Sequence, residues 1–184
     1  MNTSFQKSEG SDDWWTPPEI IASLGKFDLD PCAPMRPLWR TAEVMYNKED
    51  DGLSRIWGGV RVWLNPPYSQ PLLTYFCERF VENRNGIALI FARTGNKVWQ
   101  ELMLPRCDAV LFLRKRIRFY LPDGTQGAGA GCDSALFAIG EENVEALMNC
   151  GLEGSLVILN DVRRFQGRRS SVLDDRNGAE MGLY

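Results

Sequence analysis

The apolar residues of this chain fall into short continuous runs, and segments with helical spacing separate them. The runs that predict strands are 26–30, 60–64, 86–92, 108–113, 134–140 and 155–161. The segments that predict helices are 16–25, 71–83, 97–104 and 141–150. Continuous apolar runs are typical of strands covered on both faces, and their alternation with helices predicts a layered α/β fold. We therefore expect one domain with a mostly parallel central sheet and helices on both faces.

Two stretches interrupt this pattern. Residues 34–59 mix proline, aromatic and charged residues without a period, which predicts a long loop with one helical turn. Residues 121–133 are rich in glycine, but no strand precedes them and no helix follows them, as a phosphate-binding loop would require. We expect this second stretch to be a flexible surface loop.

The two ends of the chain differ from the patterned middle. Residues 1–12 are polar and are expected to be a flexible N-terminus. In the first helix, Thr16 is expected as the N-cap and Pro17 as the first helical residue. Residues 13–161 are expected to form the folded domain, and residues 162–184 a basic C-terminal tail.

Composition removes several kinds of chemistry. The absence of histidine excludes the Ser–His and Cys–His nucleophile systems and removes the commonest metal ligand. The five cysteines are scattered, so we expect neither a metal site nor a disulfide framework. A net charge of −3 argues against broad nonspecific binding of nucleic acid. With no apolar run of about 18 residues and no apolar signal segment, the chain is expected to be soluble, cytoplasmic and free of membrane contact.

Polar and proline residues follow two of the predicted strands. Asp30 ends the first, and Asn65-Pro66-Pro67-Tyr68 follows the run at 60–64. Ligands of such sheets bind at the carboxyl ends of the strands, so Asp30 and Asn65 are expected in one crevice. The Asn65 carboxamide oxygen and the Pro66 carbonyl are two acceptors suited to a planar NH2 group, and Tyr68 offers a stacking face. This pattern favours chemistry on an exocyclic amine, such as that of a nucleobase or a carboxamide.

Longer stretches around these residues resemble phage-type DNA N6-adenine methyltransferases, which use S-adenosylmethionine. The stretches are DDWWTPPEII, FDLDPCA, NKEDDGLSRIWGGVRVWLNPPYS, LIFARTGNKVWQELM, and LRKRIRF through SALFAIG. They occur in collinear order over about residues 12–140, which is far more specific than NPPY alone. One departure is that DPCAP replaces the usual glycine-rich loop after the first strand. The resemblance implies a Rossmann-like catalytic domain over 13–161, S-adenosylmethionine as cofactor, DNA as partner, and the cytoplasm of a bacterial host.

By position, the resemblance also implies functions for individual residues. The catalytic clamp, which would hold an adenine flipped from its stack, comprises Asn65, Pro66, Pro67 and Tyr68. The cofactor-binding residues would be Trp15, Thr16, Pro17, Asp30, Pro31, Cys32 and Ala33, with Asp50 or Asp51 near the adenosine. The DNA-binding residues would be Ser69, Arg93, Arg114, Lys115, Arg116 and Arg118. The arginines between 163 and 169 lie beyond the matched region and are expected to form a solvated tail.

Two alternatives remain open from the sequence. An amino-methyltransferase acting on guanine N2 of RNA or on a protein glutamine would use a similar clamp, although such enzymes usually carry the missing glycine-rich loop. A catalytically silent nucleic-acid-binding module would need a larger basic surface than this acidic chain offers. For a DNA enzyme, sequence specificity is expected from residues 34–59, from residues 121–133 or from the tail.

Overall fold

The strands form one sheet of seven, described together with its helices by a computed structural model over residues 14–127 and 129–159. The strands are β1 Leu29–Asp30, β2 Val44–Met45, β3 Val62–Leu64, β4 Gly86–Phe91, β5 Ala109–Leu113, β6 Ser134–Ile139 and β7 Gly154–Ile158. The helices are α1 Pro18–Leu24, α2 Leu72–Asn83, α3 Leu104–Arg106 and α4 Glu141–Asn149, and a π-helix Val98–Met103 leads into α3. Every predicted strand and helix is present. The expected flexible N-terminus, 1–12, and basic tail, 162–184, lie outside the described residues.

The direction of the strands overturns the prediction of a mostly parallel sheet. The sheet order is β2-β1-β3-β4-β6-β5-β7, and only the first four strands pair in parallel. The pairings β4–β6, β5–β6 and β5–β7 are antiparallel and include the longest ladders. Parallel neighbours need a crossover, usually a helix, and the described residues between β5 and β6, 114–127 and 129–133, contain no helix. Helices cover β4, β5 and β6 on both faces, so the sequences of these antiparallel strands are as apolar as those of buried parallel strands.

Each face of the sheet has its own hydrophobic core. Successive side chains of β4 point to opposite faces, with Ile87 and Leu89 on one and Ala88 and Ile90 on the other. The first face packs against α1 and α4, through Ile20, Ile21, Leu24 and Leu147. The second packs against α2 and the π-helix, through Leu73, Phe76, Phe80, Trp99 and Met103. The expectation of helices on both faces is therefore confirmed.

A buried polar network closes the amino edge of the sheet. The Arg61 guanidinium donates to the Asn143 carboxamide oxygen at 2.8 Å and to the backbone carbonyls of Lys26 and Leu24 at 2.6 and 2.9 Å. Asn143, fully buried, donates in turn to the Asn85 carboxamide oxygen at 2.8 Å. Buried polar groups that satisfy one another in this way fasten the end of α1 to the start of α4. The polar residues of the amino edge therefore have a structural function.

The carboxyl edge gathers the remaining connections. The strands β1, β3, β4 and β5 all end there, and the antiparallel strand β6 begins there. Residues 34–59, expected as a loop with one helical turn, contain β2 and turns but no helix. Parallel pairing of β1 with β3 brings Asp30 and Asn65 to the same edge, as the sequence predicted.

Candidate active site

Asp30 is a buried carboxylate at the end of β1. Only 3% of its surface is exposed. One carboxylate oxygen accepts the backbone N–H of Cys32 at 3.1 Å, and the other accepts the Thr41 hydroxyl. Burial raises the pKa of Asp30 to about 6, against the opposing effect of these two hydrogen bonds. Among the described residues no cationic side chain forms an ion pair with Asp30, so the site holds a buried anion without a countercharge.

Asn65 connects three segments of the chain immediately after β3. Its carboxamide nitrogen lies 3.4 Å from the Thr16 hydroxyl, to which it donates. Its backbone carbonyl accepts the Cys32 thiol at 3.2 Å, and burial raises the pKa of that thiol well above its ordinary value, which keeps the donor protonated. The residue is therefore tied to the N-terminal segment through its side chain and to the turn after Asp30 through its backbone.

Tyr68 lies with its ring flat against Phe91. The ring centroids are 3.7 Å apart and the ring planes are inclined by 10°. The hydroxyl donates to the Leu89 carbonyl at 3.2 Å and lies 3.4 Å from the Asn65 carboxamide oxygen. Burial is the main cause that raises the pKa of the Tyr68 hydroxyl far above its ordinary value, so the hydroxyl stays protonated. The tyrosine is held as a ring platform and is not available as a base.

The N-terminal segment supplies a buried aromatic wall. Trp15 is 4% exposed, and its indole N–H has no hydrogen-bond partner among the described residues. Trp15 contacts the Trp39 ring edge-on at 5.8 Å, and the Trp39 indole donates to the Thr16 carbonyl at 3.1 Å. The prediction that Thr16 caps the first helix is wrong, because Pro17, which is buried, occupies the N-cap position. The Thr16 hydroxyl faces Asn65 instead.

The turn of the EDDGL motif packs against the turn that follows β1. A Cβ atom on Gly52 would lie 1.9 Å from the Pro31 carbonyl oxygen, so only glycine permits this approach. Within the motif, the Asp50 carboxylate accepts the backbone N–H of Asn47 at 2.9 Å, whereas Asp51 is exposed. The backbone N–H of Ala33 donates to the Tyr46 carbonyl at 2.8 Å, which fixes the other side of the turn. The predicted cofactor residues from 30 to 33 and from 50 to 51 therefore adjoin one another.

The residues expected at DNA are exposed at the carboxyl edge but differ in their partners. The Lys115 ammonium pairs with Glu153 at 3.2 Å, and the Arg116 guanidinium pairs with Asp133 at 2.9 Å, so both charges are partly neutralised. The Arg118 Nε donates to a backbone carbonyl, which leaves its charge without a described acidic partner. The other expected residues, all exposed in the same region, are Ser69, Arg93 and Arg114.

Three residues of this site were not predicted from the sequence. Phe91 ends β4 beside the Tyr68 ring, and its position at the end of a buried strand was a usable signal. Thr41 donates a hydrogen bond to Asp30, and Trp39 donates one to Thr16. Both residues come from segment 34–59, which has no regular pattern. That segment carries no period, so only the tertiary structure shows which of its residues face the site.

A buried carboxylate, a carboxamide with two hydrogen-bonded neighbours and a stacked tyrosine lie at the carboxyl edge of this α/β sheet, the edge at which the enzymes built on such sheets bind their ligands. The family model for DNA N-6-adenine-methyltransferase (Dam) matches residues 3–170, and the chain belongs to that family.

A relative of the same description supports this assignment. A DNA N-6-adenine-methyltransferase of Escherichia phage T1 is 36% identical over 94 residues, which cover 47% of this chain. The match covers only 38% of the length of the phage T1 protein. No solved structure matches the chain.

Two further properties concern the described part of the chain. It contains no group of three or more acidic or cysteine side chains arranged to hold a metal ion. None of its helices is both long enough and apolar enough to cross a membrane.

Proposed function

We propose that this protein transfers a methyl group from S-adenosylmethionine to the N6 amine of an adenine in DNA, after the adenine has left its stack. The observation that carries the proposal is the position of Asn65. Hydrogen bonds connect this residue to the turn after Asp30 and to Thr16. A methyl donor and an amine must meet at one point, and this residue lies where the two predicted half-sites meet. The family assignment supports methylation of adenine N6 in DNA, and nothing in the comparisons favours RNA or protein as the substrate.

The chemistry of the cofactor half-site suits S-adenosylmethionine, which supplies an electrophilic methyl group when it is bound. Asp30 is a buried anion with no described cationic partner, and a ligand that carries an amino group and a sulfonium would provide the countercharge. The unpartnered indole N–H of Trp15 is a buried donor suited to a carboxylate. The turn of Asp50 and Asp51 is proposed for the adenosine, with Pro31, Cys32 and Ala33 shaping the crevice.

The amine half-site offers hydrogen-bond acceptors. As the amine nitrogen takes the methyl group, the carbon–sulfur bond breaks with its electron pair left on sulfur, and the surplus proton of the amine passes to solvent. The Asn65 carboxamide oxygen and the Pro66 carbonyl would each accept one N–H of the adenine amine, and Pro67 stiffens the turn that carries them. Hydrogen bonds to both N–H groups turn the delocalised lone pair of the amine toward the methyl group. The Tyr68 hydroxyl can remain on the Leu89 carbonyl while the amine replaces it at Asn65. Because Phe91 covers one face of Tyr68, the base would stack on the opposite face.

The direct test is expression of the full chain in a host that lacks DNA methylation. Its DNA, digested to nucleosides, is expected to contain N6-methyladenine by mass spectrometry. The purified protein should also methylate DNA in vitro only when S-adenosylmethionine is added. Soluble, folded protein that gives no N6-methyladenine in either assay would contradict the proposal, and activity on RNA or protein alone would replace it.

The two parts of Tyr68 are expected to differ in importance. In Tyr68→Phe the ring and its contact with Phe91 remain, so kcat/KM for DNA should fall only a few-fold. In Tyr68→Ala the stacking surface is lost, and because one stacked base contributes about 1–3 kcal/mol, kcat/KM should fall roughly ten- to hundredfold. Calorimetry should show unchanged affinity for S-adenosylmethionine in both variants. Equal loss in Tyr68→Phe and Tyr68→Ala would show that the hydroxyl, and not the ring, matters.

A further inference from the structure

The segment between β5 and β6, expected as a flexible loop, contains a short hairpin. Tyr120 and Gln126 form an antiparallel bridge, and the N–H of Leu121 donates to the Thr125 carbonyl at 2.8 Å. Gly124 closes the turn with a φ of +82°, a conformation that favours glycine. Residues 117–127, named here the edge hairpin, therefore have defined strand pairing.

The edge hairpin has a buried face and an exposed face. Ile117 and Phe119 are each 4% exposed and pack into the core beneath it. Arg118 and Gln126 lie on the exposed face. The Arg118 Nε donates to the Gly127 carbonyl at 3.2 Å, and the Gln126 amide donates to the Arg118 carbonyl at 3.3 Å. These bonds steady the two side chains, while the terminal guanidinium nitrogens and the Gln126 carboxamide oxygen have no other hydrogen bond among the described residues.

The edge hairpin is attached directly to the candidate active site. Two backbone hydrogen bonds, at 3.1 and 3.0 Å, join Trp15 to Tyr120. The Tyr120 ring also packs edge-on against Trp39, with centroids 5.0 Å apart. Thr16, the residue after Trp15, accepts a hydrogen bond from Asn65. A nucleotide held at Asn65 would thus bring its flanking base pairs next to the exposed face of the hairpin.

We propose that the edge hairpin enters the major groove beside the target adenine, where Arg118 and Gln126 read the edges of neighbouring bases. This inference rests on the proposed function. The major groove admits a two-stranded β-ribbon, in which arginine pairs with guanine and glutamine with adenine. Phosphate contacts carry no sequence information directly, so discrimination between neighbouring bases would come from contacts such as these. Lys115 and Arg116, by contrast, are already paired with carboxylates.

The experiment compares sequence preference in full-length variants. Wild type, Arg118→Ala, Gln126→Ala and the matched control Arg106→Ala, an exposed arginine at the end of α3, are expressed in a methylation-deficient host, and methylated adenines are mapped by sequencing. Each hairpin variant is expected to lose discrimination at one flanking position by roughly ten- to hundredfold, and Arg106→Ala to keep the wild-type site. Affinity for S-adenosylmethionine should not change in any of them. An unchanged site in both hairpin variants, or an equal loss of rate at every sequence, overturns the inference.

A conservative variant and a binding assay keep the test decisive. Glutamate can accept a hydrogen bond from the cytosine amine but, unlike glutamine, has no N–H to donate to adenine N7, so Gln126→Glu should shift the preferred base. If the wild type makes no N6-methyladenine, the proposed function fails by itself. Selection of bound duplexes from a randomised pool then decides the hairpin separately: different enriched sequences for Arg118→Ala and wild type support reading by the hairpin, and identical or no enrichment refutes it.

Discussion

Replacement of Asn65 by alanine is expected to lower the rate of methylation by about a hundred- to thousandfold, the usual effect of removing one fixed polar group that acts in a transition state. The loss should fall on kcat, because the carboxamide oxygen acts on the amine as its lone pair turns. Cofactor affinity should be preserved, since the Asn65 backbone carbonyl still accepts the Cys32 thiol. Steady-state kinetics with DNA and calorimetry with S-adenosylmethionine measure the two quantities separately.

Two companion variants sharpen this test. Asn65→Asp keeps an oxygen acceptor in the same place, and the Thr16 hydroxyl can donate to it, so activity should lie between wild type and Asn65→Ala. Asn149→Ala is the matched control, because Asn149 is exposed and its side chain donates to the Glu145 carbonyl of its own helix, away from the candidate site. Activity of Asn65→Ala within a few-fold of the control would remove Asn65 from the chemistry.

Substitution of Asp30 by asparagine is expected to abolish measurable binding of S-adenosylmethionine and, at neutral pH, to stabilise the protein without ligand. Burial raises the pKa of this carboxyl from 3.8 to about 6, so its ionised form opposes folding. As the pH rises from about 4 to 6, the wild-type free energy of unfolding should fall by up to about 3 kcal/mol from this group. Asp30→Asn lacks this fall, so the two proteins should be similar at pH 4 and differ most at pH 7.

In Asp30→Asn, cofactor binding should be lost while stability at neutral pH increases. These opposite changes distinguish a cofactor-binding function of Asp30 from a structural one. Asparagine presents an N–H₂ group to either Cys32 or Thr41, and this mismatch offsets part of the gain in stability. Chemical denaturation between pH 4 and pH 8 measures stability, and calorimetry over the same range should show wild-type affinity rising as the pH passes about 6. Glu145→Gln, the same loss of charge at an exposed position, is the control. Asp30→Asn protein that is destabilised at pH 7 and binds the cofactor normally would assign Asp30 a structural function only.

The positions of the strands and helices could be predicted, but the directions of the strands could not. Apolar runs such as 134–140 indicate burial on both faces, and that burial is the same for parallel and antiparallel strands once helices cover the sheet. The missing helix between β5 and β6 was the available signal, because a parallel neighbour would need a crossover. The sequence does not distinguish the edge hairpin from a flexible loop, because glycine suits a loop and a tight turn equally well.

The sequence by itself determined the family, the helical and strand segments, and the polar residues at the ends of β1 and β3. It did so because periodicity and short motifs are local properties of the chain. Only the tertiary structure decided that Phe91 supports Tyr68, that Thr16 faces Asn65 instead of capping a helix, and that Thr41 holds the buried Asp30. These contacts join residues far apart in the chain, and the free energies of packing and burial that select them depend on the folded sheet as a whole.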